Sequence, residues 1–252
     1  VNGWQTTSMQ SVNTSVEASG SPRPTAADFY RVNRGGGLFS EAFSQRLGAG
    51  LALAAHRAGL PPTALTIANL LLGLAVSATV VVLADRVAAG SVPAWAVGLV
   101  ALVGWQVAYG LDCADGQLAR VTGQGSPAGA RVDVLCDVAA QIALVTALSA
   151  TSLAQRPSTP VWLVAVFAGT WMVNLVTSVM QAGPNAASMV TSTSLPVRVV
   201  KLIRDYGAVI FVAGLVLTVV PAWTTWLIAA FTFVNGGFLL ASIGFSARAS
   251  LR

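Results

Sequence analysis

The stretch from Leu111 to Asp137 reads LDCADGQLARVTGQGSPAGARVDVLCD, and it carries Asp112, Asp115, Asp133 and Asp137, four of the nine acidic residues in a chain of 252. The sequence on either side of it is almost purely apolar: AWAVGLVALVGWQVAYG over 94–110 and VAAQIALVTALSA over 138–150. Carboxylates set in such a background are costly to keep, so they mark a functional site by default. Asp112 and Asp115 are three apart and Asp133 and Asp137 four apart, spacings that put each pair on one face of a helix. The Gly- and Pro-bearing segment Gly123–Pro127 interrupts the pattern between them. The expected local structure is therefore two helices joined by a short link, packed as antiparallel neighbours, with the four carboxylates converging near the turn.

The whole chain supports that setting. It is 55% hydrophobic and only 9% charged, where a soluble domain carries roughly 25% charged residues. Apolar runs of about 20 residues span a bilayer as helices, and the period-2 alternation of a membrane β-barrel is absent. The fold class expected is all-α: a polytopic integral membrane protein with six transmembrane helices, near 63–84, 94–112, 131–151, 161–180, 206–220 and 222–244, plus an N-terminal amphipathic helix lying in the interface. That helix is read over 37–58, where Phe39, Phe43, Leu47, Leu51 and Ala54 recur at helical spacing. Residues 1–36, rich in Ser, Thr, Asn, Pro and Gly in their first 27, read as a disordered or weakly ordered segment. Residues 37–252 read as one membrane-embedded catalytic domain. No signal peptide is evident ahead of the first span.

Twelve of the fourteen basic residues fall on the side of this map that holds the four aspartates, and only Arg86 and Arg156 fall on the other. The positive-inside rule then makes the aspartate end cytoplasmic, with both termini, in a multi-pass protein of the plasma membrane. Trp95, Trp162, Trp223 and Trp226 fall at the opposite ends of their spans, where an aromatic belt belongs. The net charge of +5 follows from this asymmetry, and no basic stripe interleaved with aromatics suggests nucleic acid. Cys113 and Cys136 form no CxxC and read as small packing residues. His56 is the single histidine and lies far from the aspartates in sequence.

Four converging negative charges in a weakly polar medium repel strongly, so they call for protons or bound cations. Oxygen ligands without His or Cys suit a hard divalent cation, Mg²⁺, Mn²⁺ or Ca²⁺. Gly116 follows Asp115, and Gly129 precedes Asp133 by a turn. Each glycine allows either close ligand approach or close helix packing. Arg120 can meet a diphosphate, brace the carboxylates or anchor the inner surface. Arg131, Arg198, Lys201 and Arg204 suit either a phosphorylated acceptor or anionic lipid headgroups.

The string Asp112-Cys-Ala-Asp115-Gly116-Gln-Leu-Ala119-Arg120, then Gly129, Asp133 and Asp137 at fixed offsets, resembles the signature D-x2-D-G-x2-A-R-x8-G-x3-D-x3-D of the CDP-alcohol phosphotransferase (CDP-alcohol phosphatidyltransferase) family. All eight fixed positions match, and the resemblance covers roughly residues 37–245. It implies transfer of a substituted phosphoryl group from a CDP-linked donor, CDP-diacylglycerol first among candidates, to an acceptor alcohol hydroxyl, with release of CMP. It implies that Asp112, Asp115, Asp133 and Asp137 hold two divalent ions, Mg²⁺ or Mn²⁺, with Asp137 also the general base. It implies further that Gly116, Ala119, Arg120 and Gly129 shape the CDP pocket, with Thr66 and Asn69 near the nucleotide, and that the protein is a homodimer among membrane lipids. The alternative for Thr66 and Asn69 is ordinary backbone bonding within a membrane helix.

Two details bear on the substrate. Val138 follows Asp137, where many bacterial relatives that take phosphorylated acceptors carry Arg or Lys. The segment Thr122-Gly-Gln-Gly-Ser126-Pro127-Ala-Gly129 resembles instead the wording of choline/ethanolamine phosphotransferases, which move a CDP-amino-alcohol's phosphoryl group to diacylglycerol. Outside this class stand an intramembrane prenyltransferase, whose Asp motifs lie far apart in sequence, and a cation transporter.

Overall fold

The computed structural model describes residues 23–33, 37–181 and 205–250. Among these the secondary structure is helical throughout: α1 (Ala26–Arg31), a π-helical turn (Ser40–Ser44) leading into α2 (Gln45–Arg57), α3 (Pro62–Ala88), α4 (Ala94–Thr122), α5 (Pro127–Gln155), α6 (Val161–Gln181), α7 (Tyr206–Val219) and α8 (Thr224–Ser250). Four stretches are long and apolar enough to cross a bilayer, Pro62–Ala88, Ala94–Thr122, Pro127–Gln155 and Pro221–Gly244. The other two expected spans correspond to α6, a helix of 21 residues, and α7. At 14 residues α7 reaches only about 21 Å at the α-helical rise, against a hydrocarbon core of about 30 Å. Six apolar helices thus stand where the sequence places them, and α7 is short of the length of a span.

Each start has a local cause. Prolines at the first positions of α3 and α5 supply no N–H where none is needed. Gly123 ends α4 in the left-handed conformation, φ 69°, which a side chain would disfavour. The helices α4 and α5 run well past the expected limits of 112 and 131, so Gly116, Ala119, Arg120 and Gly129 are helical and only the short Gly123–Ser126 link is not.

The largest departure concerns packing. Consecutive helices joined by so short a link are expected to lie side by side, yet α4 and α5 scarcely touch. Instead α3 packs extensively on both, and α4 also holds α7 and α2. Two helix faces bearing opposed carboxylates cannot close on each other, because like charges at low dielectric repel; the shared neighbour α3 holds them apart. Close approach is used elsewhere. At Gly98 a Cβ would fall on the backbone of Leu217 and Thr218, and at Gly214 on Leu102, so α4 and α7 meet backbone to backbone, as membrane helices with small residues do. The core between these helices is filled by Trp105, Leu144, Leu148, Phe167, Trp171 and Ile210.

The amphipathic helix is present, and its small residues face the bundle. Its small residues Gly48, Ala49, Ala52 and Ala55 are buried, while Phe43 is 49% exposed. The fit is set by size: a Cβ at Gly48 would meet Cys113, and one at Gly110 would meet Leu47. The segment ahead of it holds a helix that the sequence does not announce. In α1, capped by Thr25 with Asp28 answering as a capping box, Phe29 is fully buried against Ala52, Leu65 and Leu118 and packs 5.9 Å from the His56 ring. Two adjacent aromatics, Phe29 and Tyr30, in a polar segment carry no periodicity, so only the docking surface reveals the helix.

The four belt tryptophans, Trp95, Trp162, Trp223 and Trp226, are between 61% and 66% exposed. All four sit at or beside helix starts on the end of the bundle opposite the carboxylates. Arg156 stacks over the Trp226 ring at 5.3 Å at that same end.

Candidate active site

Because α4 and α5 stand apart, their aspartates face each other across a gap walled by α3. One carboxylate oxygen from each of Asp112, Asp133 and Asp137 lies within 4.8 Å of the others. Asp115, one turn further along α4, stands beside this trio, and Thr66 Oγ1 donates to its Oδ2 at 2.6 Å. Asn69 Nδ2 reaches Asp112 Oδ1 at 3.4 Å. Thr66 and Asn69 each give one side-chain bond to a carboxylate from α3; Thr66 also reaches Pro62 O at 3.4 Å within its own helix.

The donor set fits a hard divalent cation. Asp133 Oδ1 is buried without a hydrogen-bond partner among the described residues, and an orphaned buried carboxylate oxygen costs on the order of several kcal/mol unless a cation or proton meets it. Three carboxylate oxygens within 4.8 Å of one another, with no His or Cys among them, match the preferences of Mg²⁺ or Mn²⁺.

Beside the trio opens a cavity of about 520 Å³, within the range of small-molecule sites. Its walls are Pro62, Thr63 and Thr66 from α3, Asp115, Gly116, Ala119 and Arg120 from α4, the Gly123–Ser126 link, and Gly129, Ala130 and Asp133 from α5. The two signature glycines now separate from the helix-packing alternative. The nearest atoms to a Cβ at Gly116 are the Arg120 guanidinium, from 3.0 Å, and at Gly129 the Ser126 Oγ at 3.2 Å. Neither faces a neighbouring helix; both keep the cavity open, and the guanidinium lies along its wall.

The Ser126-Pro127-Ala-Gly129 wording has a structural account. Ser126 is the N-cap of α5, its Oγ accepting from Gly129 N at 3.0 Å, and Pro127 is the first helical residue. The segment starts a helix, and its Ser126 and Gly129 also line the cavity. Ser126→Ala is expected to cost about 1 kcal/mol of stability and to leave donor preference unchanged, as thermal unfolding beside a donor competition assay would measure.

Arg131 is exposed and does not line the cavity, although Ala130 and Asp133 on either side of it do. Arg198, Lys201 and Arg204 lie outside the described residues. Several contributors were not read from the sequence. Pro62, Thr63 and Gln124 line the cavity, and Tyr109 and Tyr206 stand close to Asp112 and Asp137 on the other side. Asp205 is 4% exposed. It caps α7 through Gly207 N at 3.1 Å and also takes Phe39 N and Ser40 N at 2.9 Å each and the Ser40 hydroxyl. An Asp just ahead of an apolar run is a legible N-cap signal; its second helix, 165 residues away, is not.

No curated protein sequence matches the chain. The sequence profile of the CDP-alcohol phosphatidyltransferase family matches residues 60–234, well over half of the chain and the whole of the wall just described. On that match and on the carboxylate geometry together, the chain belongs to the CDP-alcohol phosphatidyltransferase family, the membrane transferases of phospholipid synthesis.

Proposed function

We propose that this chain transfers a phosphatidyl group from a CDP-linked donor, CDP-diacylglycerol, to the hydroxyl of an acceptor alcohol, and releases CMP. The observation that carries the reading is the common wall: Asp115 and Asp133 line a cavity of nucleotide size, and Asp133 also belongs to the clustered trio. Asp112, Asp115, Asp133 and Asp137 would hold the divalent ions, two by resemblance to the family. Bound there, Mg²⁺ or Mn²⁺ neutralises the diphosphate and stabilises the departing CMP phosphate.

The chain's own groups do the rest. Gly116, Ala119 and Gly129 leave room for the nucleotide, and the Arg120 guanidinium beside Gly116 offers paired donors to a phosphate. Thr66 holds Asp115 in its rotamer. Asp137 takes the proton of the acceptor hydroxyl. The charge asymmetry supports a cytoplasmic position of this end of the bundle and of both termini at the plasma membrane, where a soluble leaving nucleotide and a lipid donor can meet. The amphipathic helix lies along that surface, and the protein works as a homodimer. The family match replaces the prenyltransferase and transporter readings.

The test is CMP release by the purified protein with Mg²⁺ or Mn²⁺ across a matrix of CDP donors and acceptor alcohols, with the lipid product identified. CMP release from CDP-diacylglycerol that requires the metal and an alcohol is the expected result. Turnover only with a CDP-amino-alcohol and diacylglycerol would reverse the donor assignment, and failure to bind CMP under any metal condition would sink the reading.

A further inference from the structure

Two spaces meet at the carboxylates, and they are walled by different aspartates. The cavity of about 520 Å³ is lined by Asp115 and Asp133. A second space of about 20 Å³ is lined by Asp112 and Asp137, with Asn69, Tyr109 and Tyr206 as its other hydrogen-bonding walls apart from the indole of Trp105, whose N–H is given to Ser77 at 3.1 Å. That volume accommodates a single water-sized oxygen, which needs two to four polar partners, and these walls can supply them. No Lys or Arg is among the residues lining it, so its chemistry suits a neutral hydroxyl and not a phosphate.

Displacement at phosphorus runs in line, with the attacking and leaving oxygens on opposite sides. If the nucleotide departs into the larger cavity, the attack comes from the other side of the carboxylate partition, which is the side of Asp112 and Asp137. We infer that the smaller space receives the acceptor hydroxyl and that Tyr206 is the side chain that holds it there. The inference rests on the phosphatidyl-transfer reading above. In the step, the acceptor oxygen bonds to the phosphatidyl phosphorus, the bond from that phosphorus to the bridging oxygen of CMP breaks, CMP leaves with that oxygen, and the hydroxyl proton passes to Asp137. Tyr206 donates its O–H to a lone pair of the acceptor oxygen not used in the attack.

The choice of Tyr206 over Tyr109 follows from their bonds. Tyr109 Oη is paired with Ser40 Oγ at 3.1 Å. Tyr206 forms no hydrogen bond to another described residue through its side chain. Its ring is held edge-on against Tyr109, centroids 4.9 Å apart at 82°, and its backbone opens α7 directly after the Asp205 cap. The ring is therefore placed by packing, and its hydroxyl remains available for the acceptor.

Tyr206→Phe keeps the ring and removes only the hydroxyl. With the wild type's best donor and acceptor, the acceptor KM is expected to rise roughly three- to tenfold, the worth of one neutral hydrogen bond, while the Kd of CMP with Mn²⁺, by calorimetry, stays unchanged. Ser152→Ala is the comparator: it loses the buried Thr225 bond near the far end of α5, so it should lower the melting temperature and leave the acceptor KM in place. An unchanged acceptor KM in Tyr206→Phe, or a CMP Kd that rises in step with it, overturns the assignment. A wild type that binds CMP and turns over normally alongside such a variant leaves the transfer reading standing, whereas a wild type that releases no CMP from any pair overturns both.

Discussion

Asp137→Asn should reduce turnover by roughly 10² to 10⁴, the usual worth of a positioned general base, while CMP still binds. Asparagine keeps the shape and removes the ability to accept a proton. Asp137 belongs to the clustered trio and lines the small space with Asp112, but it does not line the larger cavity. Its loss therefore falls on the acceptor side, and nucleotide affinity should fall far less than kcat. Single-turnover CMP release measured beside equilibrium CMP binding separates the two. Near-normal turnover in the variant would remove Asp137 from the role of base and leave Asp112, its neighbour in the same space, as the group to test.

Asp205→Ala should give a large loss of stability for a single change outside the site. The carboxylate is buried and serves two helix starts at once. It accepts from Gly207 N at the head of α7 and from Phe39 N, Ser40 N and the Ser40 hydroxyl at the turn that opens α2. Removing it strands several buried donors, each costing about 1–3 kcal/mol, and water can repay only part of that. A net loss of about 3 kcal/mol is expected, which for a chain of this size lowers Tm by roughly 6–12 °C. Asp205→Asn, which keeps one acceptor oxygen, should fall between wild type and alanine. Thermal unfolding of the detergent-solubilised protein measures it, and an unshifted Tm in the alanine variant would show that the two helix starts do not depend on this clasp. Gly37 lies so close to the same carboxylate that a Cβ there would overlap it, so Gly37→Ala should destabilise in the same direction.

Much of this molecule is legible from the residues in order. The six apolar helices begin and end near where hydropathy, proline and glycine place them, because a bilayer leaves a helix as the only way for a short apolar segment to satisfy its backbone. The four aspartates, the two glycines and Arg120 are legible because their chemistry is out of place in apolar sequence and because their offsets are rigid. The face of α2 turned to the bundle is not legible, because the glycine and alanines that let α4 approach carry no large-residue periodicity. The bonds of Thr66 to Asp115 and of Asn69 to Asp112 span 49 and 43 residues and leave no trace in local pattern.

The sequence by itself determined that the chain is a helical membrane protein, and which carboxylates stand out in it. Composition, span length and the spacing of charges are local properties, and each acts through a short-range physical rule. Only the tertiary structure decided that α4 and α5, adjacent in sequence, are held apart by α3, and that the gap between them divides into a nucleotide-sized cavity on Asp115 and Asp133 and a hydroxyl-sized space on Asp112 and Asp137. That division depends on which helix faces α3, α4 and α7 turn to one another. Side-chain volume and like-charge repulsion settle it when the helices pack, after the local rules have been satisfied.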